Sequence, residues 1–137
     1  MRLSNIECSV ELVGSGIKLQ EHDIAYGDGG VEGYIVIPDR PGGFQIRVKT
    51  DGFVAAGIGS YVFIDGKYQC NRVVPNLGDP QTYTRVNSVL TGKEVARKDK
   101  GPTDFLKTPW RFEDLDVGKA YQTSFHIKSP MANLFMS

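Results

Sequence analysis

Alternation of apolar and polar side chains marks three segments of this chain. Ile6, Cys8, Val10 and Leu12 are separated by polar residues within residues 6–13. The same period of two runs through residues 44–48 and through residues 121–127. Because successive side chains of a strand point to opposite faces, each segment predicts a β-strand with one buried and one solvated face.

Turn residues separate the other candidate strands. Asp65-Gly66 lies between two apolar segments and predicts a type I′ hairpin, because both residues accept a positive φ. The two strands of this hairpin are predicted at residues 61–64 and 68–73. The other segments predicted to be extended are residues 17–19, 34–37, 82–89 and 110–112. Residues 20–30 and 93–107 are polar, and we expect a loop in each, the second with room for a short helix.

These elements predict an all-β protein. Frequent turns, 16 glycines and no long amphipathic pattern favour an antiparallel β-sandwich of about seven or eight short strands, with at most one short helix. A chain of 137 residues is expected to form one domain, residues 1–137, because smaller pieces would bury too little apolar surface. Residues 130–137 form an apolar tail that either packs back or meets a partner.

The net charge of the chain and the length of its apolar segments limit the kinds of partner and compartment that we expect. Sixteen basic residues balance sixteen acidic ones, which argues against a nucleic-acid-binding or membrane-surface protein. Glu7 and Glu11 interrupt the region where a signal peptide needs an apolar stretch, and no run approaches the roughly 18 residues of a membrane helix. We expect an intracellular protein of the cytoplasm or nucleus, or alternatively a secreted one whose signal peptide has been removed.

Residues with catalytic or ligand-binding chemistry are scattered along the chain. Cys8 and Cys70 have neither metal-site nor redox-motif spacing and are predicted to be buried, reduced thiols. Adjacent residues of an extended chain point apart, so Glu21-His22-Asp23 is interpreted as a solvated loop, and His126 as a surface histidine. Residues 27–30 lack the ligands of a phosphate or calcium loop. The sequence therefore predicts no catalytic residue, cofactor or metal.

Aromatic and apolar residues near the end of the chain are the candidates for an interaction site. Trp110 is the single tryptophan, and it is either a core aromatic or a platform for a peptide or a sugar. The tail could meet a partner because one small sandwich need not cover it. The candidate interaction residues are Trp110, Phe112, Met131, Leu134, Phe135 and Met136.

Four segments taken in order resemble an uncharacterised family of fungal β-rich domains. The family has a Leu-x-Glu-Tyr/His-Asp segment, Tyr-Ile and Phe-x-Ile-Arg strands, a Val-x-Leu-Asp-Gly hairpin and a late Phe-x-Phe-x-x-Leu segment. The corresponding segments here are residues 17–23, 33–48, 62–67 and 110–115, within a span of roughly 6–117. The resemblance implies a fungal, intracellular β-domain and supplies no catalytic residue.

The leading expectation is a protein-interaction module without enzymatic activity. It would bind a protein partner, or a second copy as a homodimer, through an edge strand, its long loops or the tail. The alternative is a secreted effector-like or carbohydrate-binding β-sandwich, which would need surface aromatics. An uncharacterised hydrolase ranks third.

Overall fold

The computed structural model describes residues 1–38, 42–97, 99, 101, 104–112, 124–128 and 133–136. These residues contain twelve strands and no helix. In chain order the strands are β1 (Arg2–Leu3), β2 (Ile6–Leu12), β3 (Glu21–Gly27), β4 (Gly30–Ile35), β5 (Gly43–Thr50), β6 (Ile58–Ile64), β7 (Lys67–Val74), β8 (Asn87–Leu90), β9 (Gly92–Ala96), β10 (Phe105–Arg111), β11 (Ser124–Lys128) and β12 (Asn133–Met136). The predicted all-β class is confirmed, with more strands than expected.

The strands form two six-stranded sheets. The first sheet has the order β1-β2-β5-β10-β9, and β8 pairs with β5 beside that path. The second sheet has the order β3-β4-β11-β12-β6-β7. At one side of the molecule β7 lies next to β8 and β9, and at the other side β1 lies next to β4. No described segment is a helix that could cross a membrane.

The core lies between the two sheets and follows the predicted alternation. Antiparallel pairing sets Cys8 opposite Val48 and Val10 opposite Ile46, and all four side chains are buried. They share one apolar cluster with buried residues of the second sheet, including Val62 of β6. Each fully buried aliphatic side chain contributes about 1.5–3 kcal/mol, so this shared cluster holds the sandwich together.

Two type I′ turns build the hairpins of the second sheet. Asp65 and Gly66 have φ of 50° and 71°, which confirms the predicted hairpin between β6 and β7. Asp28 and Gly29 have φ of 47° and 71° and join β3 to β4 in the same way. The prediction of a loop over residues 20–30 is therefore wrong, because most of that segment is β3 and its turn.

The second polar segment, residues 93–107, is also largely extended. β9 and β10 pair antiparallel from Gly92 opposite Pro109 to Ala96 opposite Phe105. Apolar and polar side chains do not alternate regularly in this segment, because both faces of the hairpin are exposed over most of its length. The expected loop with a short helix is replaced by a hairpin within the described residues.

Residues 133–136 of the C-terminal tail lie inside the second sheet. β12 pairs antiparallel with β11 and parallel with β6, so both of its long sides are occupied. Among the described strands, this pairing of β12 with β6 is parallel, and the other pairings are antiparallel as predicted. Such a parallel pairing joins strands that are far apart in sequence, so no local sequence pattern predicts it.

Candidate interaction surface

Two of the predicted interaction residues belong to the core. The side chains of Trp110 and Phe112 are 6% and 8% exposed. Both rings stack on Phe44 of β5, with centroids 5.6 Å and 4.5 Å away. Trp110 is thus a core aromatic, and neither ring presents a platform to a peptide or a sugar.

The other predicted interaction residues lie in the tail. Leu134, Phe135 and Met136 belong to β12, whose backbone is paired on both sides, and Met131 lies outside the described residues. A strand in the middle of a sheet has no free backbone groups for strand addition. Of the two alternatives for the tail, the pairing of residues 133–136 favours packing back onto the domain.

Glu21, His22 and Asp23 do not converge on one point. The Glu21 carboxylate accepts a hydrogen bond of 2.5 Å from the N-terminal ammonium of Met1 and lies 3.7 Å from Nζ of Lys18. Asp23 is exposed with a φ of 50°, and Nε2 of His22 is buried with no hydrogen-bond partner among the described residues. His126 lies in β11 opposite Glu32. Within the described part of the chain, no three His, Cys, Asp or Glu side chains form a metal-binding group.

Both cysteines are buried free thiols, as predicted. Burial raises the pKa of the Cys8 thiol to about 12 and that of the Cys70 thiol to about 11. At neutral pH both remain protonated, and a protonated thiol is a poor nucleophile. The two cysteine side chains therefore pack in the core and have no role as nucleophiles.

A polar cluster covers the outer face of the first sheet. The Glu11 carboxylate accepts hydrogen bonds of 2.7 Å from Nε of Arg47 and 3.0 Å from Nε2 of Gln45. The hydrogen bond from Arg47 is the main cause that lowers the pKa of Glu11, and Arg47 also donates to Asn87 at 2.9 Å. With both partners satisfied inside one molecule, this cluster has a structural role.

The long edges of the two sheets differ in how accessible they are. β1 has only two residues, and β7 and β9 lie beside each other where the two sheets meet. Among the described residues, β3 pairs with β4 alone. The side of β3 that faces away from β4, here called the β3 edge, therefore pairs with no other strand in the described part of the chain and is not flanked by the other sheet as β7 is.

The β3 edge presents apolar side chains and backbone groups together. Ile24 is 42% exposed and Tyr26 is 66% exposed. The turn makes Gly27 and Gly30 a hydrogen-bonded pair, and such pairs alternate along an antiparallel ladder. The next pair, Tyr26 opposite Val31, is thus the non-bonded kind, which directs the N–H and C=O of Tyr26 away from β4. These two groups can pair with an incoming strand.

A bulge shortens the usable part of this edge. The register between β3 and β4 shifts between His22 and Ala25, where Asp23 has its positive φ. Bulges on edge strands limit open-ended pairing, which protects against aggregation. A partner strand would therefore pair with about three or four residues on the turn side of the bulge.

A shallow cavity of about 260 Å³ adjoins the same turn. Tyr26, Asp28 and Glu32 are among the residues that line it. A tyrosine and an aspartate beside one cavity can together bind a small polar ligand.

A second exposed surface lies on the hairpin of β9 and β10, here called the β9–β10 arm (the described residues within 93–107). Val95, Phe105 and Leu106 are 48%, 50% and 60% exposed. Phe105 and Leu106 are neighbours on β10, so their side chains point to opposite faces of the hairpin. Neither face of the arm is therefore covered at this point.

Sequence reasoning did not single out these exposed apolar residues. Ile24 and Tyr26 fall in the segment that was expected to be a loop, and Val95 and Leu106 fall in the second polar segment. Asp28-Gly29 is the same hairpin signal as Asp65-Gly66 and could have located the end of β3.

The chain matches no family model, no curated protein and no solved structure. The resemblance to a fungal domain family therefore stays a prediction.

Proposed function

We propose that this protein is an interaction module that binds an extended segment of a partner protein by strand addition at the β3 edge. The observation that carries the proposal is the uncovered edge of β3 with Ile24 and Tyr26 exposed beside outward-pointing backbone groups. In strand addition the backbone hydrogen bonds supply affinity and the flanking side chains supply specificity. Binding, without a chemical step, is the proposed activity.

The acidic character of this hairpin favours a basic partner segment. Residues 20–35 contain Glu21, Asp23, Asp28 and Glu32 but no lysine or arginine. Glu21 is occupied by its internal ion pairs, whereas Asp23 and Asp28 are exposed. A strand with apolar residues and at least one lysine or arginine would complement both the charge and the apolar side chains.

A pair of substitutions at Tyr26 tests strand addition. Tyr26→Pro removes the outward N–H without removing a hydrogen bond to β4, and edge strands tolerate proline at such positions. Tyr26→Thr keeps the N–H and removes only the ring. We expect Tyr26→Pro to abolish partner capture from native cells, while Tyr26→Thr retains a substantial part of it.

Site-specific crosslinking identifies the surface independently. A photo-crosslinking residue at position 26 should trap the partner in cells, and the same residue at position 68, exposed on β7, should not. Partner capture that is equal for Tyr26→Pro and the unmodified protein, with crosslinks from position 68 only, would overturn the proposal.

The cavity next to Tyr26 favours a second candidate, a carbohydrate-binding function. Tyr26 could contact a sugar ring while the Asp28 carboxylate accepts hydrogen bonds from its hydroxyls. Here Tyr26→Thr should abolish binding of oligosaccharides in a calorimetric titration, because the ring is lost. Loss with Tyr26→Thr therefore indicates a sugar, and loss with Tyr26→Pro alone indicates a strand.

For the compartment we propose the cytoplasm or nucleus, in agreement with two buried free thiols. Fractionation of native cells checks this, and recovery of the protein from the culture medium would favour the secreted alternative.

A further inference from the structure

We infer that the segment that occupies the β3 edge is the β9–β10 arm of a second copy of this chain, so that copies associate head to tail. This inference rests on the proposed function, since it uses the same edge and names its occupant. Three observations carry it: two exposed apolar surfaces, their opposite charge, and their positions on the molecule.

Both surfaces have apolar side chains that the monomer leaves exposed. On the β3 edge these are Ile24 and Tyr26, and on one face of the arm they are Val95 and Leu106, which lie opposite each other in the pairing of β9 with β10. Clusters of this kind at the rim of a sheet mark interaction sites. Contact between the two surfaces would cover both clusters at once.

The charges of the two surfaces are complementary. The segment of residues 20–35 is acidic, whereas residues 93–107 contain five lysines and arginines and three carboxylates. Arg97 and Lys107 form ion pairs within the arm, with Asp99 at 3.4 Å and Glu94 at 3.6 Å. Lys93 is exposed and has no ion-pair partner among the described residues, as is also true of Asp23 and Asp28. Among the described residues of the arm, Lys93 is therefore a cation available to the acidic hairpin.

The two surfaces lie at opposite edges of the sandwich. β3 forms one edge of the second sheet, and the arm lies beside β7, which forms the other edge of that sheet. One molecule therefore cannot bring its own arm to its own β3 edge. Contact between different patches of two copies is heterologous, and it produces a chain or a closed ring rather than a two-fold dimer.

Mixing two blocked variants tests this geometry. The edge-blocked variant is Tyr26→Pro, and the arm-blocked variant carries Val95→Ser and Leu106→Ser at exposed positions. Sedimentation velocity of the unmodified protein at low salt should show a mass that rises with concentration beyond that of a dimer. Each variant alone should be monomeric, and their equimolar mixture should form a dimer and nothing larger, because only one contact remains possible.

Charge substitutions add an independent readout. Lys93→Gln should weaken association roughly tenfold at low salt. High salt should likewise weaken the association of the unmodified protein, because salt screens the charges. Lys49→Gln, at an exposed lysine on β5, is the matched control and should leave association unchanged. Asp23→Asn and Asp28→Asn keep the positive φ that both positions need and should act like Lys93→Gln.

Several results would overturn the inference. The inference is wrong if the unmodified protein stays monomeric at about millimolar concentration, because even weak contacts give dissociation constants near that value. The inference is also wrong if the mixture of the two variants forms no dimer. It is wrong as well if only one of the two variants loses self-association. If association is absent while position 26 still crosslinks a different protein, the inference fails and the proposed function stands. If Tyr26→Pro changes neither association nor capture, both fail.

Discussion

The indole Nε1 of Trp110 donates a hydrogen bond of 3.2 Å to Oε1 of Gln69 across the interior of the sandwich. Trp110 belongs to β10 in the first sheet, and Gln69 belongs to β7 in the second. The Gln69 amide also donates from Nε2 to the carbonyl of Lys67 at 3.0 Å. Because buried polar groups must find partners, this bond fixes how the two sheets align.

Breaking the bond between Trp110 and Gln69 should destabilise the fold from either side. Trp110→Phe leaves the Gln69 oxygen without its donor, and Gln69→Leu leaves the indole N–H unpaired. Each should lower the free energy of unfolding by about 1–3 kcal/mol, measured by urea titration followed by circular dichroism. The double variant should cost less than the sum of the two, and strictly additive losses would contradict a direct interaction.

Glu11 should control stability in acid. Because Arg47 donates a hydrogen bond to its carboxylate, the pKa of Glu11 is lowered from the usual 4.5. The contribution of this pair is complete above about pH 4.5 and is lost as the pH falls through the lowered pKa. Glu11→Gln should cost about 1–3 kcal/mol at pH 7 and flatten the acid limb of a curve of unfolding free energy against pH.

The matched control for Glu11 is Glu7→Gln on the same strand face. Glu7 is 37% exposed and pairs with the exposed Lys18, so its loss should change stability by less than about 1 kcal/mol. Equal effects of the two substitutions would show that the cluster around Glu11 has no special role.

The alternation of residues 6–13 predicted β2 and the burial of Ile6, Cys8 and Val10, but Ser9 and Glu11 on the face expected to be solvated are also buried. Alternation is visible where one face of a strand meets the core and the other meets water, as in β2 and β5. β3 was missed because the bulge at Asp23 breaks the period and its face is largely uncovered. The sequence thus predicted the core and missed the candidate surface, since an exposed edge imposes no period of its own.

The two thiols should react slowly in the native protein. With the pKa of Cys8 raised to about 12 and that of Cys70 to about 11 by burial, almost no thiolate exists at pH 7.5. Maleimide labelling followed by mass spectrometry should be at least about a hundredfold slower than in urea, because labelling requires opening of the sandwich. Rapid labelling of either residue, or a disulfide in protein purified without reductant, would contradict this expectation.

Alkaline pH should destabilise the fold through the same thiols. A raised pKa favours the folded state only while the thiol is protonated, so stability is complete below about pH 9 and falls as the pH rises towards 11 or 12. Thermal midpoints measured between pH 7 and pH 11 should show this decline. It should be smaller in a Cys8→Ala variant than in the unmodified protein.

Deletion of residues 130–137 should unfold the second sheet. The deletion removes β12, so β11 and β6 each lose the strand that joins β3-β4-β11 to β6-β7. The sequence alone left open whether this tail packs back or meets a partner. The strand order instead predicts a drop of well over about 10 °C, or no folded protein, because the loss of a central strand exposes the core on both sides. A milder variant, Leu134→Pro, removes one backbone donor from the middle of the sheet and should lower the midpoint in the same direction. A tail deletion that leaves the midpoint unchanged would show that β12 contributes nothing to the sheet.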